Sequence, residues 1–201
     1  MSTSGSAAMR DPRVPLWNIA NILTMSRLLM VPLFVWFMFL DGPWWRSAAF
    51  AVFVVAAITD RVDGEIARRR NLVTDFGKIA DPIADKALTG AALVVLSLQG
   101  DLWWWVTIAI LVREWGITVL RFAVLRYVVM PASKGGKLKT VLQIVAIGIY
   151  LFPLQVLPFS EAFVWLAHVV MGAALAVTLW TGLTYVFDAI RAVRARKENA
   201  G

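Results

Sequence analysis

The sequence has no cysteine and one histidine, His168. Disulfides, thiolate metal centres and His-rich metal sites are therefore excluded. Acids are scarce too: 13 Asp and Glu stand against 20 Lys and Arg in 201 residues, a formal charge of +7. There is no internal repeat, and low complexity is confined to the Ser/Ala-rich start, MSTSGSAAM. The chain also has too little polar surface for an ordinary soluble globule, with 60% hydrophobic residues and a mean hydropathy of +0.71.

A membrane-spanning helix needs about 20 mostly apolar residues. Six segments qualify, roughly 22–40, 46–68, 75–99, 102–130, 138–157 and 161–187. The expectation is an all-α integral membrane protein, a bundle of six transmembrane helices forming one domain over 1–201. Residues 1–17 form a cytoplasmic N-terminal segment and 191–201 a basic cytoplasmic tail. The first apolar run contains Arg27 and is not followed by a small-residue cleavage site, so it reads as a permanent helix and not a signal peptide.

The positive charge invites a nucleic-acid partner, but its placement argues against one. With both termini inside, the outer loops near 41–46, 99–102 and 153–161 carry one base, Arg46. The remaining bases fall on the inner side, as the positive-inside bias requires, where they meet anionic lipids. Trp44–Trp45 and Trp103–Trp105 fall at outer helix ends, as an aromatic belt would. His168 reads as a packed or interfacial residue.

The stretch Ile58–Leu88 breaks the apolar pattern. It holds Asp60, Asp63, Glu65, Asp75, Asp81 and Asp85, nearly half the acids of the chain. Asp60 and Asp63 are spaced i, i+3, and Asp81 and Asp85 i, i+4, so each pair shares one helix stripe. The second and third segments are joined by a short connection and are expected to be antiparallel neighbours. At 1.5 Å per residue, Asp60 and Asp85 both lie about 15 Å from their inner helix ends, and Asp63 and Asp81 about 10 Å. Four level carboxylates repel one another unless protonated or bridged by cations. Acids in membrane segments are costly and usually functional. Oxygen-only ligands suit the hard ions Mg²⁺ or Mn²⁺, and two such ions form the usual clamp for in-line attack at phosphorus. Structural salt bridges to Arg61, Arg68, Lys78 and Lys86, or a proton pathway, are the competing readings.

The pattern Asp60-x2-Asp63-Gly64-x2-Ala67-Arg68-x8-Gly77-x3-Asp81-x3-Asp85 resembles the signature of the CDP-alcohol phosphotransferases, with every position filled. NIANILTMSRLLMVP (18–32), VREWGITVLRF (112–122) and GKLKTVLQ (136–143) are similar to the branch whose acceptor is sn-glycerol 3-phosphate. Ala20 departs from the proline expected there. The resemblance implies a six-helix membrane fold, a homodimer, and a cytoplasm-facing site in the bacterial plasma membrane. It also implies transfer of a phosphatidyl group from CDP-diacylglycerol to sn-glycerol 3-phosphate with release of CMP. The rival acceptor is phosphatidylglycerol, as in a cardiolipin synthase; the two differ in the acceptor pocket over 113–143.

Residue roles follow from the same resemblance. Asp60, Asp63, Asp81 and Asp85 hold two Mg²⁺ or Mn²⁺ ions, and Asp85 is also the general base. Asn21, Ile22, Leu23, Thr24, Gly64, Ala67, Arg68, Thr74 and Gly77 meet the CDP-lipid. For Asn21 a plain helix cap, and for Gly64 and Gly77 tight helix packing, are the alternatives. A phosphorylated acceptor needs further positive charge, for which Arg113, Arg121, Lys137 and Lys139 are the candidates. Arg113 and Arg121 are about two turns apart, so one helix face can hold both. Glu114 has two readings: it orients Arg113, or it only balances local charge.

Overall fold

The computed structural model describes residues 19–69, 75–125, 134–153 and 160–198, and the side chains of 22–42, 44–59, 83–84, 86–121, 138–153 and 161–194. Six helices run in order: α1 Ile19–Met38, α2 Pro43–Arg69, α3 Asp75–Leu98, α4 Trp104–Leu125, α5 Lys134–Leu151 and α6 Ser160–Glu198. Each expected segment is a helix, and no strand occurs among the described residues. α1 packs on α2 and α3, α3 on α4, α6 on both α4 and α5, and α2 on α5. α2 and α3 also touch, as expected of neighbours.

Several boundaries differ by a few residues, and α5 runs Lys134–Leu151 where 138–157 was expected. The last helix was expected to end near 187, but it continues through Glu198. The stretch DAIRAVRARKE holds Ala, Arg, Lys and Glu with no Gly or Pro, a composition of strong helix formers. The basic tail is therefore largely an extension of α6.

The core is built on repeating small and large apolar residues. Ala49, Phe53 and Ala56 of α2 are buried at heptad-like spacing, as are Leu88, Ala92 and Val95 of α3. Phe34 meets Phe53 with ring centroids 6.1 Å apart. Inside this core the hydroxyls of Ser97 and Thr107 pair at 2.7 Å, so neither buried oxygen goes unsatisfied. Outside it the surface is apolar: Leu29, Trp36, Trp44, Val112, Val119, Trp165, Val169 and Trp180 are all strongly exposed. Among the described residues, only Glu161–Arg194 is long and apolar enough on its own to cross a membrane, with a mean hydropathy of 2.0. Ile22–Met38, Trp44–Thr59, Lys86–Leu98 and Leu138–Leu151 are shorter apolar stretches.

The end of the bundle where α2 and α4 begin is laced by polar contacts. Arg46 donates to Asp101 Oδ2 at 2.5 Å and to the Tyr150 carbonyl at 2.8 Å. Gln99 Nε2 donates to the Met38 carbonyl at 2.5 Å. Arg46, the lone base of the loops at this end, thus ties α2 to the α3–α4 turn and to α5. His168 packs edge-on against Trp103 and Tyr150, with centroids 5.2 and 5.5 Å away, as a packed residue would. A cavity of about 430 Å³ beside Arg46 and Gln99 is far along α2 from the aspartates, so it is not where they act.

α3 is closed by Gly100 at φ +81°. Its N–H donates to the Ser97 carbonyl at 3.2 Å, and the Asp101 N–H donates to the Leu96 carbonyl at 2.9 Å. This is the Schellman arrangement, which satisfies the last carbonyls of the helix and needs a left-handed residue. Gly100→Ala should therefore lower stability by about 1–2 kcal/mol. Gly172→Ala, where an added Cβ meets nothing within 4 Å, should leave stability unchanged or raise it. Thermal unfolding of the detergent-solubilised protein measures both; equal midpoints for the two variants would contradict the cap.

Candidate active site

The positions singled out in the sequence divide between two regions of the bundle, both away from the Arg46 end. Asp60, Asp63, Gly64, Ala67 and Arg68 lie on α2, and Gly77, Asp81 and Asp85 on α3. The side chains at these positions, and at Asn21, lie outside the described ones, as does Thr74 altogether. Their register is nonetheless defined by the helices. Ala49, Phe53 and Ala56 are buried, and positions 60, 63 and 67 continue the same stripe of α2. On α3, positions 81 and 85 lead into the buried stripe of Leu88, Ala92 and Val95. The positions of the two aspartate pairs thus lie in the same helical register as these buried residues, on two helices that touch.

The α1 segment expected to meet the CDP-lipid is sided. Thr24 is buried, and so is Arg27 one turn on, whereas Ile22 is half-exposed and Leu23 intermediate. Arg27 was not among the expected site residues. Its signal was available: a guanidinium inside an apolar helix is expensive unless it has work to do.

The acceptor-side candidates can be followed in atomic detail. Arg113 on α4 and Lys139 on α5 converge on one carboxylate oxygen, Glu114 Oε1, with the Arg113 Nη1 contact at 3.0 Å. All three side chains are largely sequestered, at 11%, 12% and 16% exposure for Arg113, Lys139 and Glu114. Lys86 on α3 donates to the Glu114 backbone carbonyl at 3.0 Å and lies over the Trp115 ring, 5.6 Å from its centroid, a cation–π distance. Arg113 Nη2 also donates to Thr181 Oγ1 on α6 at 2.8 Å. One turn away, Gln143 of α5 donates to Thr178 of α6 at 3.0 Å. Four helices are thus joined at this level, and among the described side chains two cations share one carboxylate while a third, Lys86, takes the backbone carbonyl of the same residue.

Of the two readings of Glu114, orientation has direct contacts behind it, because its carboxylate holds Arg113 and Lys139 together. Arg121 shares α4 with Arg113 but is exposed, and the side chain of Lys137 lies outside the described ones. Eight residues along a helix turn the second arginine by roughly 80° from the first, and Arg113 is largely buried where Arg121 is exposed. Lys86, Gln143, Thr178, Thr181 and Gly182 were missed in this role. For Thr178, Thr181 and Gly182 the one signal is the run TLWTGLT in α6.

A largely buried cluster on α4 and α5 in which two cations share one carboxylate is what the described side chains show, and comparison with known proteins gives the class of the chain. Residues 17–180 match the family described as CDP-alcohol phosphatidyltransferase, so the chain belongs to that family. It is 50% identical over 191 residues to a "Probable phosphatidylglycerophosphate synthase" of Mycobacterium tuberculosis, covering 94% of this chain and 89% of that one. It is 37% identical over 171 residues to the "CDP-diacylglycerol--glycerol-3-phosphate 3-phosphatidyltransferase" of Bacillus subtilis, covering 76% of this chain and 88% of that one. A protein of the latter name from Shigella flexneri is 35% identical over 179 residues, covering 85% and 93%.

Proposed function

We infer that this chain is a phosphatidyltransferase that moves the phosphatidyl group of CDP-diacylglycerol to sn-glycerol 3-phosphate, giving phosphatidylglycerophosphate and CMP. Family membership supports the reaction class. The names of relatives that align over most of both chains support the substrates. The observation that carries the acceptor is the convergence of the largely buried Arg113 and Lys139 on Glu114, with Lys86 beside them. Neither an uncharged alcohol nor serine would need that concentration of cations, whereas a phosphate dianion would.

In the reaction, a glycerol hydroxyl oxygen attacks the phosphorus that carries diacylglycerol. The new P–O bond forms as the bond to the CMP oxygen breaks, and CMP departs with the electron pair. Asp85 takes the hydroxyl proton. An Asp is a weak base, so its effect rests on geometry more than on pKa. Arg113 and Lys139 hold the acceptor's phosphate, and Lys137 and Arg121 are proposed to draw it in from the surface. Gly64, Ala67, Arg68, Thr74 and Gly77, with Asn21 to Thr24, hold the CDP-lipid. Asp60, Asp63, Asp81 and Asp85 form an oxygen-only donor set on two touching helices, which fits two Mg²⁺ or Mn²⁺ ions. Bound there, such ions would neutralise the diphosphate and stabilise the leaving group.

The apolar exterior and the even number of helices support a multi-pass protein of the bacterial plasma membrane. Its termini and active site are placed in the cytoplasm and its Arg46 end outside. The strongly apolar faces of α4 and α6 suit lipid or a second copy of the chain, and a homodimer is part of this reading.

Purified protein with Mg²⁺ or Mn²⁺ and CDP-diacylglycerol, offered glycerol 3-phosphate, phosphatidylglycerol, inositol phosphate and serine in turn, should release CMP only with the first. Release with phosphatidylglycerol instead would assign the cardiolipin-forming branch. Asp85→Asn should cut turnover by about 100- to 10,000-fold while CDP-lipid binding stays detectable; undiminished turnover would refute the base.

A further inference from the structure

The placement of Arg113 is set by α6, a helix that carries none of the expected site residues. Gly182 is buried, and a Cβ built on it would lie 3.0 Å from both Cγ and Nε of Arg113 and 3.6 Å from its Cδ. The arginine stem therefore lies flat against the α6 backbone, in space that any side chain larger than hydrogen would claim. One residue earlier, Thr181 Oγ1 accepts from Arg113 Nη2 at 2.8 Å while its own proton goes to the Val177 carbonyl at 2.7 Å. That proton is committed within the helix, so the oxygen presents a lone pair to the guanidinium in a fixed direction. On the other edge of the fork, Nη1 donates to Glu114 at 3.0 Å.

The Arg113 Nε is buried and has no hydrogen-bond partner among the described residues. Such a loss is usually avoided. Here it accompanies the close approach to Gly182, so the seat fixes where the guanidinium lies at the expense of one donor. A guanidinium clamped at two edges loses little freedom when an anion binds its remaining N–H groups, and preorganisation of this kind raises affinity without adding contacts.

We propose that Gly182 and Thr181 are positioning residues for acceptor recognition: they seat the Arg113 guanidinium so that, with Lys139, it receives the phosphate of the acceptor. The inference rests on the reading of Arg113 as an acceptor-phosphate ligand. Neither residue touches the reacting atoms, so both act through Arg113. Gly182→Ala obliges Arg113 to shift by a few tenths of an ångström. Alanine is also the better helix former, so a loss of fold is not the expected route to any kinetic effect.

The test is steady-state kinetics of the full-length enzyme, varying each substrate separately. Gly182→Ala and Thr181→Val should each raise the KM for glycerol 3-phosphate by about fivefold, the scale of one lost or misaligned hydrogen bond to a charged group. The KM for CDP-diacylglycerol should stay within about twofold in the same variants. Thr181→Ser, which keeps the oxygen, should restore the wild-type value. In an Arg113→Ala background, Gly182→Ala should add nothing, because residues acting through one group are non-additive. Equal rises in both KM values, or a Gly182→Ala effect that persists without Arg113, would overturn the proposal. If Gly182→Ala fails to fold, the Thr181 pair decides alone. If Arg113→Ala leaves the glycerol 3-phosphate KM unchanged, the acceptor reading itself falls, and this inference with it. If Arg113→Ala raises it while the α6 variants do not, only the role of α6 is lost.

Discussion

A single carboxylate oxygen, Glu114 Oε1, takes a bond from Arg113 and another from Lys139. The half of the bundle away from Arg46 depends on this contact. Each of the three groups is removed from most of the water that would solvate it, and an unpaired charge in such a setting costs several kcal/mol. Pairing removes that cost only if the partners arrive from the right helices. α4 brings Arg113 and Glu114, α5 brings Lys139, α3 brings Lys86 to the Glu114 carbonyl, and α6 brings Thr181 to Arg113. The need to satisfy these charges fixes the relative placement of four helices more sharply than apolar packing, which is indifferent to small slips.

The two ends of the molecule use polarity differently. Where α2 and α4 begin, Arg46 is spent on Asp101 and the Tyr150 carbonyl, and Gln99 on the Met38 carbonyl. These bonds tie chain turns together. Between the ends lies the apolar core of Phe34, Phe53, Leu93, Leu96, Ile110 and Ile147. At the other end, among the described side chains, Arg113 and Lys139 share the single carboxylate of Glu114. The buried stripes of α2 and α3, Ala49, Phe53 and Ala56 on one and Leu88, Ala92 and Val95 on the other, continue in helical register to the aspartate positions.

Much of this was legible from residue order alone. Six helices follow from apolar run length, and the Asp60 to Asp85 spacing is dense enough to imply one chemistry. Arg113 and Lys139 could be nominated because a phosphorylated acceptor needs cations. Their meeting on Glu114 could not be foreseen, since Lys139 lies 25 residues from that carboxylate and only helix packing brings them together. Arg121 shows the reverse: a plausible spacing along α4, but an exposed side chain. Gly182 had no sequence signal as a seat for Arg113, because the meaning of a missing Cβ depends on what fills its place. The helical tail through Glu198 could have been read from its composition; the charge run drew attention away from its helix propensity.

The most direct test of the shared carboxylate is the unfolding free energy of Glu114→Ala beside the wild type, measured by chemical denaturation in one detergent. Two cations left largely buried without their common partner should lower stability by about 2–3 kcal/mol, the scale of charge-assisted bonds lost from a partly shielded site. An unchanged unfolding midpoint and slope would mean that Arg113 and Lys139 do not depend on Glu114, and the account of how that half of the bundle is held would be wrong.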